Sequence, residues 1–213
     1  MMIVVNFKNY VSNSRAIELV RKIDIYCNEA ILAVPAIDIR EIAKNTTLPV
    51  FVQHVDYFEP GRATGYLIPE FLKEAGAVGS LLNHSEHKVS FTALKKTIAR
   101  CHEIGFKLIV CSGTLREIER IKKLKPFAIA FEDPTLVASG KSITTYKTHD
   151  VKKFVDLLKG SDVLPLCGAG ISSGADVQRA FALDCKGILV SSIVANNPKP
   201  EQFLKEIASL HRD

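Results

Sequence analysis

The chain has 213 residues, 47% of them hydrophobic, and a formal charge of +5. That is enough for one sizeable core; a single domain over residues 1–213 is expected, although length alone would allow two, and its scattered basic residues suit small anionic ligands rather than a nucleic-acid stripe. Five cysteines with no C-x-x-C pair argue against a disulfide framework or zinc ribbon, and the absence of a signal-peptide pattern or membrane-length apolar run predicts a soluble cytoplasmic protein.

Short apolar runs alternate with helical patterns along the whole chain. The runs predict strands at 2–7, 30–34, 50–53, 79–82, 107–111, 128–131, 163–167 and 187–190. Between them, residues 15–26 carry Ala16, Val20 and Ile23 on one helical face. Shorter helices are predicted near 37–44 and 69–75. Ser90 caps a helix striped by Phe91, Leu94, Ile98 and Cys101. Thr114 and Glu117 read as a capping box before Ile118, Ile121 and Leu124. Val151, Val155 and Leu158 mark the next helix; another covers 173–183, and Phe203, Ile207 and Leu210 mark the last. Eight strand–helix units of roughly 27 residues predict an α/β chain folded as a (β/α)8 TIM barrel. A doubly wound open sheet is the rival that periodicity does not exclude.

In a barrel the chemistry belongs at the C-terminal strand ends. Asn6 and Lys8 follow the first strand; a lysine there either neutralises an anion or is simply solvated. His84 and Glu86 follow the fourth, in Asn83-His84-Ser85-Glu86-His87. His84 suits a proton shuttle. His84 and His87 also form a metal-like pair three apart, but no H-E-x-x-H pattern or third ligand accompanies them. Glu132 ends the sixth strand ahead of a small, mobile segment, Asp133 to Gly140: a base under a lid, or a surface glutamate before a loop. The seventh strand runs into Gly168-Ala169-Gly170, and the eighth into Ser191-Ser192. Glycine-rich backbone can cradle an anion, and a helix beginning near Ser173 would point its positive end there. Barrels frequently hold phosphate between the last two loops.

Taken in order, NFK, NHSEH, Glu132 with its following lid, and CGAGIS resemble the triosephosphate isomerase family, most of all its short archaeal type. The resemblance covers essentially the whole chain. It implies interconversion of dihydroxyacetone phosphate and D-glyceraldehyde 3-phosphate without a cofactor or metal. Glu132 would be the base. A neutral His84, with a helix starting at Ser85-Glu86-His87 behind it, would polarise the carbonyl and relay protons. Lys8, with Asn6 beside it, would stabilise the enediolate, and Glu86 would hold the local network. Backbone amides near Val137 or Ala138, with Gly170, Ser191 and Ser192, would bind phosphate. The long 53–69 loop, rich in aromatics, would dock into a neighbouring subunit, giving a homodimer or homotetramer.

Some positions depart from the family pattern. Asp133 stands where Pro is usual and would oppose ionisation of Glu132 if it turned inward. Ala138 replaces a lid Gly, Leu136 and Ser139 are milder changes, and Ile193 stands where a Gly is typical. The rival functions are another phosphate-binding barrel enzyme, such as an aldolase or a biosynthetic isomerase, and a non-catalytic phosphate-binding barrel. A Schiff-base aldolase needs a strand lysine near the chemistry, where this chain offers Glu132. A passive binder would not require His84 and Glu132 at two further strand ends.

Overall fold

Eight short parallel strands close into a barrel, each hydrogen-bonded to its neighbours in sequence and the last to the first. The computed structural model describes residues 2–136 and 141–210. The strands are β1 (Met2–Asn6), β2 (Ile31–Val34), β3 (Val50–Val52), β4 (Gly79–Leu82), β5 (Lys107–Ser112), β6 (Ala128–Phe131), β7 (Leu164–Cys167) and β8 (Gly187–Val190). The helices are α1 (Asn13–Tyr26), α2 (Ile39–Asn45), α3 (Pro69–Glu74), α4 (Phe91–Glu103), α5 (Leu115–Lys122), α6 (Ile143–Tyr146), α7 (Thr148–Leu158), α8 (Gly174–Ala182), α9 (Ser192–Ala195) and α10 (Pro200–Ser209).

Alternation along the strands divides the core into two layers. Val4, Ala33, Phe51, Leu81, Ile109, Ala130 and Leu189 fill the barrel interior. Their neighbours Ile3, Val5, Leu32, Val50 and Val110 join Ala16, Val20 and Ile98 of the helices in the outer layer. Strands buried on both faces become unbroken apolar runs, so the sequence pattern located them. Large and small residues share the interior. A Cβ on Gly79 would lie 2.5 Å from the Phe51 ring, so β4 gives up volume where β3 takes it.

The expected strands are present, with some ends shifted by a residue. Phe7 leaves β1 but stays fully buried, and its N–H still donates to Ala33 O at 2.9 Å. Gln53 leaves β3, and β5 runs on to Ser112. Ser90 caps α4, its Oγ accepting from Ala93 N–H at 3.2 Å. Two four-residue helices, α6 and α9, were not expected, because so short a helix carries no complete apolar period. The α9 helix starts directly off β8 and so lies at the same barrel mouth as the other strand ends.

Candidate active site

Lys8 leaves β1 in a left-handed conformation, φ 44°. Its N–H donates to Asn6 Oδ1 at 2.9 Å, and Asn6 is buried. Gln53, past the end of β3, donates through Nε2 to Lys8 O at 2.8 Å and Asn6 Oδ1 at 3.3 Å. These bonds hold a backbone conformation that lysine seldom adopts. The Lys8 ammonium reaches Glu86 Oε1 at 2.7 Å; its side chain is 13% exposed, against 57% for the glutamate. The cation is thus largely sheltered, while its counter-ion leans into solvent.

His84 is buried at the end of β4. The helix expected to start at Ser85 does not form there; residues 85–87 make a turn, with His87 N–H donating to His84 O at 2.9 Å. The turn nevertheless supplies a donor. Glu86 N–H donates to His84 Nδ1 at 3.2 Å. A ring nitrogen that accepts carries no proton, so this bond fits the tautomer with its hydrogen on Nε2. Nε2 lies 3.6 Å from Glu132 Oε2. His87 stacks instead on His54, ring centres 4.1 Å apart. The metal-like pair is thereby split between two different jobs, and among the described residues no three His, Cys, Asp or Glu side chains cluster as a metal would require.

Glu132 stands one residue past β6, 6% exposed, its N–H donating to Ser112 O at 2.9 Å. Its Oε2 is buried with no hydrogen-bond partner. Two neutral thiols flank it. Burial, and then the adjacent Glu132 charge, push Cys111 far above the ordinary thiol range. A hydrogen bond with Cys185, then burial, do the same for Cys167, with a smaller push from Glu132. Gly168 completes the seat. A Cβ there would lie 2.5 Å from Glu132 Cγ, so only glycine lets β7 pass this close. Asp133 does not turn toward Glu132. Its carboxylate accepts from Thr135 N–H at 2.9 Å and Thr135 Oγ1 at 2.7 Å and faces Lys147 Nζ at 3.6 Å. Burial alone would raise its pKa, but these partners outweigh burial and hold the group below its ordinary value.

A cleft of about 540 Å³ brings Asn6, Lys8, His84 and Glu132 together with Gly170, Ser191 and Ser192. Ala169 and Gly170 are both left-handed, φ 73° and 70°. A Cβ on Gly170 would overlap the Lys141 carbonyl. Ser191 caps α9, and its Oγ is buried without a partner. The positive end of α8, expected to face a ligand, is already occupied. Asp176 Oδ2 accepts from Ser172 N–H at 3.1 Å and from Ser173 Oγ at 3.0 Å. The Gly170 turn and the start of α9 therefore line the cleft, and the start of α8 does not. Val137 and Ala138, expected to contribute lid amides, lie outside the described residues. Glu86 does not line this cleft; it reaches it only through Lys8 and the His84 ring.

Sequence reasoning missed Gln53, Gly168 and Glu117. Gln53 looked like the tail of a strand, and Gly168 looked like part of an anion loop rather than a seat for the base. The expected Thr114–Glu117 box is half formed. Glu117 N–H donates to Thr114 Oγ1 at 3.2 Å, but no return bond from the glutamate joins Thr114. Its carboxylate instead accepts from Asn83, Lys88 and Ser112.

The fold and cleft define a (β/α)8 barrel that gathers a buried carboxylate, an imidazole and a sheltered cation at its C-terminal strand ends, opposite the Gly170 turn. The sequence profile of triosephosphate isomerase matches residues 1–209. The chain is 33% identical over 212 residues to "Triosephosphate isomerase" of Sulfurisphaera tokodaii, covering 96% of this chain and 93% of that one. It is 32% identical over 215 residues to the same-named protein of Methanocaldococcus jannaschii, covering 97% and 98%. Against that of Methanothermus fervidus it is 35% identical over 214 residues, covering 97% and 96%. The chain belongs to the triosephosphate isomerase family.

Proposed function

We propose that this chain, acting as one domain, interconverts dihydroxyacetone phosphate and D-glyceraldehyde 3-phosphate through an enediolate. One observation carries the assignment of roles: Glu132 and His84 face each other at 3.6 Å across the cleft that also holds Lys8. Glu132 takes a proton from the carbon beside the carbonyl and returns it to the other carbon. Its unpartnered Oε2 is available for that transfer. His84 donates from Nε2 to the carbonyl oxygen and relays protons between the two oxygens. The Lys8 ammonium stabilises the negative charge that develops there, and Asn6 and Glu86 hold Lys8 in position. Gly170, Ser191 and Ser192 take the phosphate, joined by amides near Val137 and Ala138. No cofactor or metal is needed, because the proton is the only species transferred.

The lid proposal has a sharp test. The enediolate sits beside a phosphate ester and would eliminate phosphate to methylglyoxal in water, so it must be covered. Deleting residues 137–139 should lower isomerisation and release methylglyoxal and inorganic phosphate. An aldolase or passive barrel has no such intermediate to leak. A coupled assay on D-glyceraldehyde 3-phosphate checks the reaction itself; an inactive wild type would overturn the assignment.

The chain works as a homodimer or homotetramer in this reading. In the 53–69 loop Tyr57, Phe58 and Tyr66 stack on one another, and Tyr66 is half exposed. A cleft of about 590 Å³ beside Lys8, Gln53 and His87 has room for a neighbour's loop. Shortening the loop around 60–64 should give poorly active monomers; light scattering of a fully active, monomeric wild type would sink the idea. A cytoplasmic setting fits five buried, unbridged thiols. Among the described residues no helix is long and apolar enough to cross a membrane.

A further inference from the structure

We infer that Glu117 is a positioning residue that ties the loop carrying His84 to the end of β5, to which Glu132 is hydrogen-bonded, an inference resting on the roles proposed for those two side chains. The Glu117 carboxylate gathers donors from two different loops. Asn83 Nδ2 donates to it at 3.0 Å and Lys88 Nζ at 2.9 Å, both from the segment after β4. Ser112 Oγ donates at 2.8 Å and Gly113 N–H at 3.4 Å, both from the end of β5. The first runs directly into His84, and the second is hydrogen-bonded to Glu132. Asn83 immediately precedes His84 and is left-handed, φ 61°. Its Nδ2 also donates to Cys111 O at 2.9 Å, and its Oδ1 accepts from Val89 N–H at 3.2 Å. Ser112 O accepts the Glu132 N–H.

Packing alone does not hold these loops. A cavity of about 260 Å³ lies among Asn83, Lys88, Ser112, Glu117, Glu132 and Pro134. Walls around open volume lack contact atoms on one side and depend on hydrogen bonds for their position. An acceptor-only carboxylate suits this place, because every group pointing at it is a donor. Burial alone would raise its pKa. Bonds from Lys88, Ser112 and Asn83 outweigh burial and hold the group below its ordinary value, so it stays ionised at neutral pH. The pair it supports tolerates little movement, since a displacement of about 1 Å can cost on the order of 10² in rate.

The experiment compares Glu117→Gln with Thr114→Ala. The amide keeps the shape but turns a donor against Asn83 and Lys88 or against Ser112. Thr114→Ala removes the cap of the same helix and leaves the carboxylate network in place. Glu117→Gln should lower kcat roughly ten- to a hundred-fold with KM within about twofold. Nitrogen NMR of the free protein should then report a mixture of His84 tautomers in place of one. Thr114→Ala should lower Tm without changing kcat or the tautomer signal. A Glu117→Gln enzyme with kcat within twofold of wild type and a single tautomer overturns the inference. So does a kcat loss that Thr114→Ala reproduces at equal loss of Tm. An active wild type that Glu132→Gln inactivates keeps the proposed reaction standing whatever Glu117 does, so the two ideas fail separately.

Discussion

The two sides of the cleft are held in different ways. From β1 to β6 the proposed reacting groups rest on side chains: Gln53 behind Lys8, Glu117 under Asn83 and Ser112, neutral thiols beside Glu132. Around β7 and β8 the proposed anion seat is mostly backbone, a left-handed Ala169-Gly170 turn and the start of α9. Proton transfer demands fixed distances and fixed charge states, which side-chain networks supply. An anion needs only several N–H groups pointing one way, which backbone conformation supplies. Substitutions on the first side should therefore reduce kcat, and those on the second should raise KM.

The largest break in that contrast is Glu132→Gln. It should lower kcat by about 10²–10⁴ with little change in KM, measured by the coupled assay. A Gln variant of normal kcat would move the base elsewhere. Next come His84→Gln and Lys8→Ala, each expected to cost roughly 10²–10³ in kcat. Lys8→Ala should also raise KM, because its ammonium attracts the dianion before reaction; an unchanged KM would confine Lys8 to the chemical step. Gly168→Ala is the sharpest probe, since it lies on the β7 side yet seats the base. Its new Cβ would displace Glu132, so kcat should fall on the order of 10², with KM nearly constant. A pure KM effect would return Gly168 to the anion loop.

Ser191→Ala should raise KM roughly tenfold, the loss of one hydrogen bond to a charged group, with kcat intact. It should also raise Tm slightly, because it deletes a buried hydroxyl that has no partner in the free protein. A lower Tm with KM unchanged would take Ser191 out of the anion seat. The smallest effect concerns acid. The Glu117 pKa in the folded chain lies below its ordinary 4.5. Its contribution to stability is fully present above about pH 4.5 and is lost as pH falls through the folded value. The Tm gap between wild type and Glu117→Gln should shrink below about pH 4.5; a constant gap would mean the charge adds nothing.

Much of this was legible in the residues. Apolar runs marked the eight strands because each is buried on both faces, and the ordered motifs singled out Lys8, His84 and Glu132. The half-formed capping box shows where reading stops. Thr114 and Glu117 have the correct spacing, yet the glutamate turns to donors that lie 34 residues earlier in the chain, at Asn83, and 29 earlier, at Lys88. Local spacing carries no information about such partners. The same holds at Ser85, where the expected helix is a turn that still supplies the N–H its neighbour needs.

What the sequence determined by itself was the order of strands and helices and the family, because periodicity and ordered motifs are local properties that survive without coordinates. Tertiary structure decided the rest. It directed Asp133 toward Thr135, set Asp176 at the α8 terminus, packed Gly168 against Glu132, and turned Glu117 toward Asn83 and Ser112. Each of these depends on which strand end lies beside which, and closing the barrel brings those ends together.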